Sequence, residues 1–129
     1  MTNYDIVINQ AHVMDPESRL DQLQNVGISQ GKIAMISDSP LHGEQVIDAP
    51  GQILCPGFID LHCHPQDTQI FEVQALDGVT TTLELEVGTS DIEHFYSKWK
   101  NQSPINFGAS IGHIPVRMKV MNDPGVFLP

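Results

Sequence analysis

Pro56-Gly57-Phe58-Ile59-Asp60-Leu61-His62-Cys63-His64 is the stretch on which the reading of this chain turns. Pro56 and Gly57 punctuate it, and an apolar run then leads into two histidines separated by one residue. In an extended strand, side chains two apart point the same way, so His62 and His64 share a face with Cα atoms about 6.5 Å apart. Two imidazoles so placed reach one metal ion at about 2.0–2.1 Å each. Phe58 and Asp60 fall on that face, and Ile59, Leu61 and Cys63 form the opposite, apolar one. Asp60 is placed to orient an imidazole or to make a core hydrogen bond. An isolated His-x-His pair arises readily by chance. Here it closes an apolar strand and precedes the loop Pro65-Gln66-Asp67. The pair therefore lies at a strand's carboxyl end, where α/β folds collect ligands and catalytic groups.

Downstream, runs of strand type alternate with stretches long enough for helices. Strands are expected over 53–62, 79–87 and 105–111, helices over 69–77 and 91–102, and a helical start over 116–121 broken by Asp123-Pro124-Gly125. This is α/β, the pattern of a parallel sheet with helical crossovers. Gly78 closes the first helix, and Asp91 caps the second by accepting from its free first-turn amides. In the second strand, Glu84 and Glu86 share a face with Thr80 and Thr82, while Leu83, Leu85 and Val87 form the other. A carboxylate on the inward side is costly to bury without a metal or a cationic partner. Glu86, nearer the carboxyl end, is the metal-ligand candidate beside His62 and His64, with a salt-bridged or ligand-orienting carboxylate as the competing reading. Glu84 reads as structural.

Upstream, apolar pieces at 4–8, 11–14, 25–29, 32–37 and 45–47 are separated by Asp15-Pro16, Gln30-Gly31 and 40–43, all turn chemistry. Gln30-Gly31 is expected to make a hairpin. Residues 1–50 thus read as a small antiparallel sheet system and residues 51–129 as the α/β part. Three strand–helix units leave a parallel sheet with a bare edge, and such sheets occur almost only with both faces covered. With Phe127-Leu128-Pro129 following a turn signal, the chain is expected to be the amino-terminal piece of a larger protein, or half of a split one.

Composition narrows the function classes. At 129 residues, 40% hydrophobic and 17% charged, the chain reads as one globular length of sequence rather than a disordered one. Six basic against sixteen acidic side chains, a net charge of −10, leave no cationic stripe for phosphates. Nucleic acid and anionic membrane surfaces are therefore set aside as partners. No run approaches the ~20 apolar residues that span a bilayer, and no leader pattern opens the chain, so a cytoplasmic protein is expected. Cys55 and Cys63 are expected to be free thiols.

The Pro-Gly-Phe-Ile-Asp-x-His-x-His run over 56–64 resembles the signature of the amidohydrolase superfamily. That resemblance implies a small β-sandwich-like domain followed by the first three strand–helix units of a partial (β/α)8 (TIM) barrel, with His62 and His64 as metal ligands. It further implies a metal-dependent hydrolase that cleaves a C–N amide bond with metal-activated water, using one or two divalent ions, commonly zinc. Gly78-Val79-Thr80-Thr81 and Gly112-His113-Ile114-Pro115-Val116-Arg117 look more narrowly like the N-acyl-D-amino-acid deacylases, including the N-acyl-D-glutamate branch. This implies an N-acyl amino acid as small-molecule substrate, bordered by His113 and Arg117, with Arg117 gripping a substrate carboxylate through a forked pair of hydrogen bonds. A loop histidine and a surface arginine are the competing reading. The better-known D-aminoacylases carry a metal-holding cysteine at the end of strand two, and none lies between Gly78 and Ser90 here.

In that family the other metal histidines and the proton-handling aspartate come from later strands. No catalytic residue is therefore assigned within these residues, and the isolated chain is expected to be inactive. A missing carboxy-terminal barrel part, in the same or a companion chain, would complete it. Two further classes stay open: a related cyclic-amide hydrolase such as a dihydroorotase-like enzyme, and a non-catalytic metal-binding or interaction module.

Overall fold

The computed structural model describes residues 3–122 and divides between Pro56 and Gly57 into two compact units. The expected break at Asp123-Pro124-Gly125 and the segment 127–129 lie outside the described residues.

The first unit is a five-stranded sheet of β1 (Tyr4–Asp15), β2 (Leu20–Ser29), β3 (Lys32–Ser37), β4 (Gly43–Asp48) and β5 (Ile53–Leu54). Its order is β3-β2-β1-β4, with β5 also pairing with β1. The first three strands form an antiparallel meander, as expected. The sheet as a whole is mixed, because β4 and β5 run parallel to β1. Gln30 and Gly31 take φ of 52° and 71°, the left-handed backbone that a two-residue hairpin asks of both turn residues. The Asp5 carboxylate accepts from the Gln30 amide at 2.6 Å and holds that turn.

The pieces at 4–8 and 11–14 are one strand interrupted by a bulge, where Gln10 takes φ 60°. Its amide donates to Asn25 Oδ1 at 3.0 Å, and Asn25 Nδ2 donates to the Ser37 carbonyl at 3.0 Å. A buried side chain thus supplies the bond that the ladder loses there. Ala11, Val13, Val26 and Ala49 form the core of this unit, with Ile8, Leu20, Ile28 and Leu54 packed against it.

The second unit carries β6 (Phe58–Asp60), β7 (Val79–Thr89) and β8 (Asn106–Ile111), a parallel sheet in the order β6-β7-β8. Helices α1 (Gln69–Leu76) and α2 (Ile92–Trp99) lie in the two connections, and α3 (His113–Met121) follows β8. The architecture is mixed α/β. The strand expected over 53–62 is split: Ile53–Leu54 joins the first sheet, and only Phe58–Asp60 joins β7. Pro56 has no amide to give a ladder, which explains the break.

Local chemistry sets the helix ends. Gly78, at φ +86°, closes the turn after α1, and its amide donates to the Ala75 carbonyl at 3.2 Å. The Asp91 carboxylate caps α2 by accepting from the His94 amide at 2.9 Å. α3 starts at His113, earlier than the expected 116, because Pro115 falls in its first turn, where no amide is needed. Phe71 of α1 is fully buried edge to face with Trp99 of α2, ring centroids 5.1 Å apart. Phe107 of β8 lies 6.2 Å from Phe71 and 5.6 Å from Tyr96, so one aromatic cluster fastens both helices to the sheet. Among the described residues, no helix is long and apolar enough to cross a membrane.

Candidate metal centre

β6 ends at Asp60, so His62 and His64 occupy the segment beyond the strand rather than the strand itself. That segment is held against β7 by an antiparallel bridge between His62 and Glu84 and by the Cys63 amide donating to the Leu83 carbonyl at 3.4 Å. Cys63 is buried, whereas Ile59 and Leu61, expected to share a covered face with it, are exposed. Both cysteines are free thiols, and Cys55 is exposed.

On β7, Thr82 and Glu84 are buried but Glu86 is exposed, although all three share strand parity. The ladder to β8 explains the difference. It is regular as far as Glu84 opposite Ala109; then five steps along β7 to Thr89 oppose two along β8 to Ile111. This irregular segment contains Glu86 and Gly88, whose φ of +70° favours glycine. Bulges of this kind re-aim side chains.

The outcome is a convergence of three donors. His62 Nε2 lies 3.0 Å from Glu86 Oε2, and His64 Nε2 lies 3.1 Å from the same oxygen. The two imidazoles meet edge to face with centroids 5.1 Å apart. One ligand atom from each of His62, His64 and Glu86 lies within 4.8 Å of the others. On its other side, His64 Nδ1 is 2.6 Å from Glu84 Oε2, and Glu84 Oε1 accepts from the Gly88 amide at 3.1 Å. The Glu84 hydrogen bond holds the His64 pKa above its ordinary value against the opposing effect of desolvation, and the charges of Glu84 and Glu86 add to the rise.

The Glu86 carboxylate only accepts, so each Nε2 facing it either donates a hydrogen to it or shares a cation with it. The donor set of two imidazole nitrogens and one carboxylate oxygen is one that zinc accepts. Tetrahedral bonds of about 2.05 Å put donors roughly 3.3 Å apart. The separations of 3.0 and 3.1 Å fall close to that edge length. The residues present therefore fit a divalent ion, with coordination positions to spare.

Among the described residues, Asp60 bonds to no imidazole in the way expected. Its Oδ1 accepts from the His62 amide at 2.9 Å, and its Oδ2 accepts from Gln74 Nε2 at 2.8 Å. Gln74 Nε2 also reaches Thr82 Oγ1 at 3.2 Å, so Asp60 shapes the backbone of the histidine segment from a hydrogen-bonded core. Glu84, read from the sequence as structural, is the carboxylate that meets an imidazole. His113 opens α3 and Arg117 follows one turn later, both exposed and on one face of a helix that packs along β7. His113 is not among the converging donors.

No family model matches the chain. Over 94 residues, or 66% of this chain, it is 34% identical to a dihydroorotase of Streptococcus pneumoniae, of which the match covers 22%. In fold it resembles an N-acyl-D-glutamate deacylase from Bordetella bronchiseptica, solved with zinc and a phosphonate inhibitor, at TM-score 0.79 and 23% identity; the likeness covers 95% of this chain and 32% of that one. A D-aminoacylase described as defining a subset of amidohydrolases gives TM-score 0.77 and 22% identity, covering 93% and 32%. The chain thus spans about a fifth of the dihydroorotase and about a third of the deacylases it resembles. The sequence match is thus to a dihydroorotase and the fold likeness to deacylases, one of them described among the amidohydrolases, the superfamily whose signature residues 56–64 resemble.

Proposed function

We infer that this chain contributes the first part of the metal centre of a hydrolase acting on a C–N amide bond, with His62, His64 and Glu86 as metal ligands and zinc as the leading metal. The observation that carries this reading is the convergence of His62 Nε2, His64 Nε2 and Glu86 Oε2 beyond the carboxyl end of β6. When bound, zinc supplies a water acidified toward a pKa of about 7 and polarises a scissile carbonyl. The two imidazoles offer neutral nitrogen donors, and Glu86 offsets part of the ion's charge. Arg117 is the group we assign to a substrate carboxylate, through a forked pair of hydrogen bonds, with His113 bordering the same substrate.

The second unit is read as the first three strand–helix units of a (β/α)8 barrel, and the first as a β-sandwich portion. The parallel order β6-β7-β8 supports this, as do the exposed apolar side chains of Phe58, Ile59, Leu61 and Ile111. Later strands, from a carboxy-terminal part in the same or a companion chain, would supply the remaining ligands and the proton carrier. A cytoplasmic location fits the acidic composition and free thiols.

The fold likeness supports an N-acyl-D-amino acid, with N-acyl-D-glutamate first to be tried. A cyclic amide such as dihydroorotate is the second reading, supported by the sequence match. The test is zinc-dependent hydrolysis of both substrates by the protein encoded by the complete reading frame that contains this chain. Turnover of either amide, abolished by chelation and by His62→Ala, is the expected result. Tight zinc binding with turnover of neither, nor of related amides, would overturn the hydrolase reading in favour of a metal-binding module.

A further inference from the structure

We propose that Glu84 is a positioning residue for this metal centre: its carboxylate fixes His64 with hydrogen on Nδ1, leaves Nε2 free for the ion, and ties that histidine to the turn at Gly88. The proposal rests on the reading of His62, His64 and Glu86 as metal donors. The two glutamates of β7 differ sharply in setting. Glu84 is buried, 7% exposed, whereas the Glu86 side chain is 61% exposed. Burying a carboxylate without partners is costly, and both oxygens of Glu84 are engaged, one by His64 Nδ1 at 2.6 Å and one by the Gly88 amide at 3.1 Å.

An ionised carboxylate only accepts, so a hydrogen bond to it requires that His64 Nδ1 carry the hydrogen. The other ring nitrogen, Nε2, is the atom that faces Glu86 Oε2. A carboxylate behind a metal-binding imidazole orients the ring and raises the basicity of its free nitrogen. The backbone adds a second constraint, since Glu84 is also the residue bridged to His62, which fixes the carboxylate's Cα against the histidine segment. The irregular stretch of β7 then has a function beyond aiming Glu86: it turns the Gly88 amide back onto Glu84 Oε1 and holds the carboxylate in place.

The experiment compares the full chain with Glu84→Ala and Glu84→Gln. Imidazole 15N shifts of His64 in the metal-free protein, followed upward in pH until the ring is neutral, report the tautomer; chelator competition reports zinc affinity, and thermal unfolding confirms folding. The expected result is the Nδ1–H form in the parent, its loss in Glu84→Ala, and zinc binding about 10–100-fold weaker. Glu84→Gln should fall between, because its amide can accept from only one of the two donors while its NH2 group opposes the other; it also carries the test if the alanine variant does not fold. An unchanged His64 tautomer, or zinc affinity within about threefold of the parent despite a lower melting temperature, would overturn the proposal. If the parent chain binds no zinc, the metal reading fails, while the tautomer comparison still decides whether Glu84 sets the state of His64.

Discussion

Replacing Glu86 by glutamine separates an ion pair from a metal ligand, because the two roles differ in magnitude by state. In the metal-free chain, Glu86 meets His62 and His64 at 3.0 and 3.1 Å, but the Glu86 and His62 side chains are 61% and 65% exposed. Exposed ion pairs contribute about 0–1 kcal/mol, so Glu86→Gln should shift metal-free unfolding by less than about 1 kcal/mol. With zinc bound the loss is of a different order. Four donors give structural zinc about 10–16 kcal/mol in small peptides, or about 2.5–4 kcal/mol per donor. Loss of one charged donor should therefore weaken zinc binding by about two to three orders of magnitude in Kd. Urea unfolding of the metal-free protein gives the first quantity, and competition with a chromophoric chelator gives the second. A zinc Kd within about threefold of the parent would refute the ligand role. So would a loss of metal-free stability as large as the loss of zinc binding, since Glu86 would then serve the fold.

Three further outcomes follow from the packing and the turns. Phe71→Ala removes the fully buried ring between Trp99 and Phe107 and should cost about 3–5 kcal/mol, read through the fluorescence of the single tryptophan; a loss under about 1 kcal/mol would contradict the aromatic core. Gly88→Ala forces a side chain into positive φ and puts its Cβ 2.7 Å from both the Gly112 nitrogen and the Ser110 carbonyl oxygen, so both stability and zinc affinity should fall; an unchanged zinc Kd would show that this turn does not hold the centre. The Asp15 carboxyl is held below its ordinary value, first by the Ser18 hydroxyl and then by the Glu17 amide. A lowered folded pKa gives stability that is present above the unfolded value near 3.8 and is lost as pH falls through the folded one. The stability gap between the parent and Asp15→Asn should accordingly narrow from pH 7 to pH 3 in urea titrations, and a gap that widens would reverse the sign.

What was legible in the sequence was written in local chemistry. Residues 32–37 form the strand expected of them, Gln30-Gly31 makes the hairpin turn, and the helices near 69–77 and 91–102 begin and end where Asp91 and Gly78 dictate. Long-range pairing was less accessible. Nothing in 45–47 or 53–54 announces that these segments run parallel to β1. The bulge at Gln10, which joins two expected strands into one, depends on a side chain fifteen residues away. At the site, strand parity put Glu84 and Glu86 on one face and stopped there. The irregular ladder after Glu84 is what separates a buried carboxylate behind His64 from an exposed one in front of it. A buried glutamate must find a partner, and that rule alone could have directed attention to Glu84.

The most direct test is anomalous diffraction at the zinc edge from crystals of the full chain grown with zinc. The account predicts one strong peak bonded at about 2.0–2.2 Å to His62 Nε2, His64 Nε2 and a Glu86 oxygen. A peak seated elsewhere, or full-occupancy protein density with His62 and His64 turned away from Glu86 and no peak between them, would contradict it.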